Sequence, residues 1–288
     1  MLIMDGKSIA TRIKTEIKQE LEEIYEKYKI KPRVASILVG DDQGAKVYIA
    51  SQLKACKEIG IDGETYFLDD NTTQDELLKI IDDLNDRRDI DGIMLNLPLP
   101  KHIDSTEILN RIKLIKDVDG FKAENLGLLV QNNEKYIAPS TPAGIMEILK
   151  TYNIAIKSKE VVVVGRSNIV GKPMAALVLN EHGTVTICNS YTKNLKEKTK
   201  MADILISAVG KPHFITDDMV KNGAVIIDVG INRVNGKLVG DVDFEKVKHK
   251  ASHITPVPGG VGATTVAMLL SNILKSFKLN RNLKMEEK

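Results

Sequence analysis

The chain has 288 residues, and its 41 basic and 39 acidic side chains leave a formal charge of +2, too balanced for a nucleic-acid-binding surface. Aromatic residues make up 4% and tryptophan is absent, which also argues against a base-stacking platform. No apolar run approaches the roughly 20 residues that span a bilayer, and two cysteines, Cys56 and Cys188, are too few for a disulfide scaffold. These features predict a cytoplasmic protein of about two domains that binds neither nucleic acid nor membrane.

The first half of the chain alternates helices and strands. Apolar residues recur at helical spacing over residues 7–28, and Pro32 ends the predicted helix. Short apolar runs predict buried strands, and helical patterns separate them. These runs cover residues 34–40, 65–68 and 92–98. This order favours parallel strands joined by crossover helices, and the polar segment 117–127 is expected to be a loop.

The second half repeats this alternation. A helix is predicted to start near Thr141 and Pro142, which are favourable cap and first-turn residues. Strands are predicted at residues 161–164, 184–188, 203–207, 224–228 and 253–258, with a helix starting near residue 173 and a last helix at 265–277. We therefore predict an α/β fold with domains at residues 1–139 and 140–264. From periodicity alone, the last helix could pack on either domain.

A glycine turn follows the first strand of the second half. Gly165 lies after the strand, and five residues separate it from Gly171, so a phosphate cradle and a plain structural turn both fit. The next strand leads to Ser190 without the acidic residue that usually binds the ribose of NAD. Arg166, Ser190 and Lys193 would instead suit an additional phosphate, which favours NADP.

The segment Thr255-Pro-Val-Pro-Gly-Gly-Val-Gly262 combines two prolines with three glycines. Prolines stiffen the chain and glycines expose its backbone, so the segment suits either a rigid wall beside a planar ligand or a buried bend. Small residues also follow two later strands, at 208–210 and 229–232. They would leave room for a flat ring at the carboxyl ends of parallel strands.

Three motifs in this order resemble the methylenetetrahydrofolate dehydrogenase/methenyltetrahydrofolate cyclohydrolase family. They are Asp117-Val-Asp-Gly120, Gly165-Arg-Ser-Asn-Ile-Val-Gly-Lys-Pro173 and the proline–glycine segment, and the similarity covers nearly the whole chain. The resemblance implies a homodimer whose subunits combine an amino-terminal α/β catalytic domain with a Rossmann-type NAD(P)-binding domain across a cleft. It also implies that the last helix, within residues 265–288, packs back on the first domain.

The same resemblance implies two reactions and a set of site residues. Hydride passes from the methylene carbon of the folate to NADP, and water then opens the methenyl product to give formyltetrahydrofolate. By position, the implied NADP contacts are Gly165, Arg166, Ser167, Ser190, Ile231 and Thr265. The implied catalytic residues are Tyr48, Gln52, Asn96 and Asp119, and the implied folate contacts are Tyr48, Asp119, Pro258, Gly259 and Gly260. No metal site is expected, because the five histidines lack paired ligand spacing.

The active-site helix departs from the family pattern Ser-x-x-Tyr-x-x-x-Lys. Tyr48 matches, but Ala45 replaces the serine and Gln52 replaces the lysine, while Asn96 replaces the glutamine of a Gln-Leu-Pro-Leu loop. Hydride transfer chiefly requires orientation, whereas ring opening requires proton transfer that Gln52 cannot perform. Because loss of a general acid–base typically costs about 10²–10⁴-fold, we expect a dehydrogenase with weakened cyclohydrolase activity.

Two alternatives remain open at this stage. The altered site could belong to a nucleotide-binding homologue with little turnover. The chain could also be another two-domain NADP dehydrogenase of the shikimate type, although the lysine–aspartate pair of those enzymes is not evident. Lys54 is expected to face away from Tyr48 and Gln52, since residues two apart lie on different helix faces.

Overall fold

The computed structural model describes residues 1–283, which form two compact units. The large-sheet unit comprises Met1–Thr11, Leu129–Asn133 and Pro139–Met268. The small-sheet unit comprises Arg12–Leu128, Glu134–Ala138 and the segment that begins at Leu269. The assignment of a catalytic domain to residues 1–139 and a cofactor domain to 140–264 stays a prediction. Residues 284–288 of the predicted last segment lie outside the described residues.

Strands and helices alternate along the described chain, and the α/β fold class is confirmed. The strands are β1 (Leu2–Ile3), β2 (Arg33–Val39), β3 (Asp62–Leu68), β4 (Gly92–Leu95), β5 (Glu160–Val164), β6 (Thr184–Cys188), β7 (Ile204–Ser207), β8 (Val225–Asp228), β9 (Asn232–Val234), β10 (Lys237–Val239) and β11 (His253–Ile254). The helices are α1 (Gly6–Tyr28), α2 (Gln43–Glu58), α3 (Gln74–Asp86), α4 (Ser105–Arg111), α5 (Ala123–Val130), α6 (Ser140–Thr151), α7 (Gly171–Asn180), α8 (Leu195–Thr199), α9 (Phe244–Val247) and α10 (Val261–Asn280). No helix in this set is both long and apolar enough to cross a membrane.

Within residues 1–283, the sheet of the small-sheet unit has three parallel strands in the order β3–β2–β4. The central strand β2 is buried along nearly its whole length, as expected for a parallel strand covered on both faces. Helix α3 starts with a capping box in which Thr73 and Glu76 satisfy each other's backbone donors. Because this sheet is parallel, the carboxyl ends of its strands lie on one edge.

The carboxy-terminal part of α10 is anchored in the small-sheet unit by polar contacts. Asn272 donates from Nδ2 to the carbonyl oxygens of Val118 and Ala138, both at 2.9 Å. Arg281 donates from Nε to the buried carboxylate of Asp91 at 3.0 Å. These contacts hold the helix beside the segment that leads to Asp119.

The sheet of the large-sheet unit contains, among the described residues, six parallel strands in the order β1–β11–β8–β7–β5–β6. The buried strands β5, β7 and β8 each contain three or four consecutive apolar residues, which is typical of a parallel sheet with both faces covered. The chain passes from β5 to β6 on one side and returns to β7 on the other. Ligands of open parallel sheets bind at the carboxyl ends of strands beside such a reversal.

Several boundaries differ from the predicted ones for local reasons. The predicted loop 117–127 is wrong from Ala123 onward, because helix α5 begins there. The predicted strand at 253–258 ends at Ile254, since Pro256 and Pro258 have no N–H with which to continue a ladder. The hairpin of β9 and β10 was not predicted, although its Asn235-Gly236 turn, with positive φ at both residues, is a strong hairpin signature.

Candidate active site

The predicted phosphate turn is closed by backbone packing that leaves no room for a side chain at Gly165 or Gly171. Gly165 has φ of +135°, and a Cβ atom there would lie 2.5 Å from the carbonyl oxygen of Ala208. A Cβ atom on Gly171 would overlap the carbonyl oxygen of Gly165. The Oγ of Ser167 accepts a hydrogen bond from the N–H of Val170 at 3.1 Å, just before α7 begins. A bare backbone bend followed by a helix N-terminus fits a phosphate of a dinucleotide.

The surroundings of this turn are exposed and basic. Arg166, Ser167 and Ser190 are all exposed, and the Arg166 guanidinium carbon lies 5.5 Å from the ring centroid of Tyr191. This cation–π contact orients the guanidinium beside the loop that follows β6. Among residues 1–283, no carboxylate forms an ion pair with Arg166. The guanidinium therefore remains available for an additional phosphate.

The two other predicted cofactor residues differ in availability. Ile231 follows β8 and is 65% exposed, which is unusual for a large apolar side chain at a sheet edge. Thr265 is half-buried in the first turns of α10. Its hydroxyl already bonds to the carbonyl oxygen of Val261 at 3.0 Å and to the hydroxyl of Thr141 at 3.1 Å. Thr265 therefore acts first as a packing residue of the helix.

The proline–glycine segment is braced by the beginning of the chain. Gly6 donates its N–H to the carbonyl oxygen of Gly259 at 2.9 Å, and a Cβ atom on Gly6 would overlap the carbonyl oxygen of Gly260. Of the three predicted folate contacts here, Pro258 is exposed, Gly259 is half-buried and Gly260 is buried. Pro258 therefore offers a side chain to a ligand, while the glycines permit close packing of the bend.

In the small-sheet unit, Tyr48, Gln52 and Asp119 are brought together. Tyr48 and Gln52 lie one turn apart on α2, and they are 46% and 6% exposed, respectively. Burial of the hydroxyl and the nearby carboxylate of Asp119 raise the pKa of Tyr48, and a hydrogen bond with Gln52 opposes them. The tyrosine, amide and carboxylate thus form one polar cluster, which we call the Tyr48 cluster.

Asp119 has a strongly perturbed carboxyl group. Burial raises its pKa to about 7, the carboxylate of Asp117 adds to the effect, and a hydrogen bond from the N–H of Leu95 opposes it. Asp117 itself is buried and organises the loop. It accepts hydrogen bonds from the N–H groups of Gly120 (3.1 Å), Phe121 (3.2 Å) and Lys122 (2.9 Å) and from Nδ2 of Asn125 (2.6 Å). The sequence motif contained Asp117, but its supporting role was not predicted.

Asn96 is held against β2. Its Nδ2 donates to the Oγ of Ser36 at 3.1 Å and to the carbonyl oxygen of Ile37 at 3.0 Å. Its backbone N–H donates to the same carbonyl oxygen at 3.0 Å. Both amide hydrogens of the side chain are therefore engaged, and Asn96 fixes the end of β4 and the start of the following loop.

Neighbouring lysines have other surroundings. Lys54 is exposed in a depression that it shares with Arg33 and Lys57. The Lys46 ammonium contacts the carboxylate of Asp41 and lies 5.6 Å from the ring centroid of Phe67. In these positions, neither lysine replaces the one missing at position 52. For the described part of the chain, no group of three or more histidine, cysteine, aspartate or glutamate residues could hold a metal ion.

Comparison with known proteins gives a consistent result over both units. Residues 4–119 match the family model described as tetrahydrofolate dehydrogenase/cyclohydrolase, catalytic domain, and residues 139–281 match the NAD(P)-binding domain of the same family. A protein of Fusobacterium nucleatum subsp. nucleatum, named bifunctional protein FolD, is 65% identical over 282 residues, which cover 98% of this chain and 100% of that protein.

Solved structures agree with these matches. The bifunctional enzyme FolD, a methylenetetrahydrofolate dehydrogenase/cyclohydrolase from Campylobacter jejuni, superposes with a TM-score of 0.95 at 47% identity, covering 97% of this chain and 99% of the other. The N5,N10-methylenetetrahydrofolate dehydrogenase-cyclohydrolase of Trypanosoma brucei, complexed with NADP cofactor and inhibitor, has a TM-score of 0.93 at 35% identity, covering 99% of both chains.

Proposed function

This chain belongs to the tetrahydrofolate dehydrogenase/cyclohydrolase family, and from that premise we propose that it oxidises methylenetetrahydrofolate to methenyltetrahydrofolate with NADP. We further propose that its second activity, hydrolysis of the methenyl product to formyltetrahydrofolate, is weakened. The observation that carries the proposal is that one chain contains both a phosphate turn in which Gly165 and Gly171 leave no room for a Cβ atom and the Tyr48 cluster, with glutamine in place of lysine.

The residues around the phosphate turn suit NADP. Gly165 and Ser167 would hold the pyrophosphate side through the bare bend, while Arg166 and Ser190 would bind the additional phosphate through charge-assisted and neutral hydrogen bonds. The absence of a carboxylate after β6 supports NADP over NAD, because a carboxylate there would repel that phosphate. NADP, when bound, supplies the hydride acceptor.

The first reaction makes few chemical demands on the chain. The reacting carbon of the substrate is flanked by two nitrogens, whose lone pairs stabilise the cation left after hydride departure. No side chain has to gain or lose a proton in that step, so the protein contributes mainly orientation. We propose that Tyr48 and Asp119 hold the folate, since a hydroxyl and a carboxylate can accept hydrogen bonds from its N–H groups.

The second reaction requires a proton acceptor, and the residue at position 52 does not supply one. Water must attack the methenyl carbon and lose a proton before the ring C–N bond breaks. The Gln52 amide can orient that water by hydrogen bonding, but it cannot accept the proton near neutral pH. We therefore expect enzyme-catalysed ring opening to be about 10²–10⁴-fold slower than with a lysine at this position.

Paired assays on the purified protein test this proposal. NADP-dependent oxidation of methylenetetrahydrofolate should be readily measurable, with NAD a poorer acceptor, and decay of added methenyltetrahydrofolate should stay near its spontaneous rate. Tight NADP binding without turnover would instead support the nucleotide-binding homologue. Rapid enzyme-dependent decay would contradict the weakened hydrolysis. Shikimate should not be oxidised, because family membership excludes the shikimate-type alternative.

We also propose that the chain is cytoplasmic, as its composition predicts, and that it forms a homodimer, as the family resemblance implies. Cys56 and Cys188 both carry buried free thiols, which supports a reducing compartment. Analytical ultracentrifugation should give twice the mass of 31.8 kDa for the particle. A monomer under assay conditions would contradict the dimer, and recovery of the native protein from a membrane or extracellular fraction would contradict the location.

A further inference from the structure

Two buried aspartates in the large-sheet unit have no part in the function proposed above. Asp228 is the last residue of β8, and Asp241 follows the β9–β10 hairpin. Both are buried among the core residues of this unit. A buried carboxylate is unfavourable unless hydrogen bonds compensate for lost hydration, so the partners of each aspartate indicate what it stabilises.

Asp241 gathers donors from the loops that follow two neighbouring strands. Its carboxylate accepts hydrogen bonds from Ser207 Oγ (3.3 Å), Val209 N (2.7 Å), Gly210 N (3.2 Å), Lys211 N (2.9 Å) and Asn232 Nδ2 (3.1 Å). The first four belong to the end of β7 and its loop, and the last belongs to the segment after β8. One side chain therefore connects the two loops.

Asp228 holds the backbone of Asp241 in place through hydrogen bonds. Its carboxylate accepts hydrogen bonds from the N–H groups of Gly230, Asp241 and Val242, each at 2.9 Å. Its own N–H donates to the Oγ1 of Thr255 at 2.8 Å, which ties the end of β8 to the start of the proline–glycine segment. Asp228 thereby fixes the main chain of Asp241, whose carboxylate binds the two loops.

Two glycines make this arrangement possible. A Cβ atom on Gly230 would overlap the carboxylate of Asp241, and one on Gly240 would overlap the carboxylate of Asp228. Each aspartate thus occupies the space that a side chain on the opposing segment would need. We call the four residues Asp228, Gly230, Gly240 and Asp241 the aspartate interlock.

The aspartate interlock lies at the carboxyl end of β8, on the sheet edge at which a dinucleotide would bind. β7 pairs with β5, and the carbonyl of Ala208 closes against Gly165 of the phosphate turn. The exposed Ile231 lies between Gly230, which donates its N–H to Asp228, and Asn232, which donates from Nδ2 to Asp241. The loops after β7 and β8 therefore continue the binding edge that starts at the phosphate turn, and the redox half of the cofactor would lie along them.

We propose that Asp241, supported by Asp228, is a positioning residue that sets the spacing of these two loops and so the pose of the nicotinamide half of NADP. The proposal rests on the proposed function. Asp241 acts through the backbone of Val209–Lys211 and through Asn232, without touching the cofactor. Its loss should therefore weaken binding of the redox half while leaving the adenine half bound.

The test compares NADP with adenosine 2′,5′-bisphosphate, a probe that carries only the adenine half. Binding of both to Asp241→Asn is measured by titration calorimetry, with Asp243→Asn, which alters a helix cap two residues away, as the matched control. Asp241→Asn replaces one acceptor oxygen with a donor facing backbone N–H groups. We expect NADP to bind about 10–100-fold more weakly, the probe within about twofold of normal, and the control to resemble the unsubstituted protein.

Asn232→Ala provides a milder variant if Asp241→Asn does not fold, because it removes only the link from the second loop. It should raise the ratio of the NADP to the probe dissociation constant about three- to tenfold. Unchanged NADP binding in folded Asp241→Asn, equal loss of both ligands, or an unchanged ratio in Asn232→Ala would overturn the positioning role. Failure of the unsubstituted protein to bind either ligand would instead count against the proposed function itself.

Discussion

The substitution Gln52→Lys would show how far a single side chain divides the two activities. We expect it to accelerate enzyme-dependent opening of methenyltetrahydrofolate by about 10²–10⁴-fold, because it restores a group that can accept and return a proton. This corresponds to about 3–5 kcal/mol of activation free energy. The dehydrogenase rate should change by less than about threefold, since that step depends on orientation.

The substitution should also reduce stability by an amount that the structure allows us to bound. Gln52 is 6% exposed, and the comparably buried Lys116 is 4% exposed. Burial, and secondly the charge of Lys113, lower the pKa of Lys116 from 10.5 to about 8, although its ammonium donates to three carbonyl oxygens. A fall of that size corresponds to about 3 kcal/mol, so we expect the free energy of unfolding of the variant to decrease by up to about 3 kcal/mol at pH 7.

The sign of the pH dependence follows from that comparison. A lysine whose pKa is lowered in the folded state binds fewer protons there than in the unfolded chain, so stability rises with pH. If the introduced lysine behaved like Lys116, the deficit would be complete below pH 8 and would shrink between about pH 8 and 10.5. The carboxylate of Asp119 would oppose this fall in pKa and reduce the deficit.

Hydrolysis is followed by the absorbance of methenyltetrahydrofolate after subtraction of its spontaneous decay, and oxidation by the appearance of NADPH. Gln52→Met is the matched control, because it fills similar volume but exchanges no proton. Lys54→Gln tests the exposed lysine nearby and should leave both rates unchanged. If folded Gln52→Lys opened the methenyl ring no faster than Gln52→Met, the assigned role of position 52 would be wrong.

Three further predictions concern separate parts of the molecule. Arg166→Gln should weaken NADP binding about 10–100-fold and NAD binding by less than about twofold, because only NADP loses a charge-assisted hydrogen bond; equal losses by calorimetry would refute this. Burial, and secondly the charge of Asp117, raise the pKa of Asp119 to about 7, so the fraction of Asp119 in the carboxylate form increases as the pH rises through 7. The KM for the folate should therefore fall over this pH range. The KM of Asp119→Asn should show no such change. Arg281→Met should lower the free energy of unfolding by about 3–5 kcal/mol because it leaves the buried carboxylate of Asp91 without its ion-pair partner. Thermal melting should show this loss of stability relative to Arg88→Met, a control at an exposed arginine. Equal melting temperatures of the two variants would contradict the prediction.

The alternation of strands and helices was predictable because its determinants are local. Buried parallel strands such as β5 and β8 contain three or four consecutive β-branched residues, and the capping box at Thr73 and Glu76 is contained in four residues. The family motifs include Tyr48, Gln52 and Asp119, and the first two lie one turn apart on α2, as residues four positions apart do. In these cases the sequence itself contains the neighbours that matter.

The supporting residues could not be found in that way because their partners are distant or are backbone groups. Asp241 bonds to N–H groups about 30 residues earlier, and any residue type supplies an N–H. Strand β1 contains only two residues, and its register depends on β11 at the other end of the chain. By contrast, the β9–β10 hairpin has a local determinant, because Asn235-Gly236 favours a two-residue turn between antiparallel strands.

The pairing of β1 with β11 also affects how the polypeptide is assembled during translation. Leu2 is synthesised long before its partner His253. The brace from Gly6 to Gly259 consequently cannot form on a nascent chain that stops before the proline–glycine segment. The contacts of β1 and Gly6 with the rest of the large-sheet unit thus form only after residues 253–259 have been synthesised.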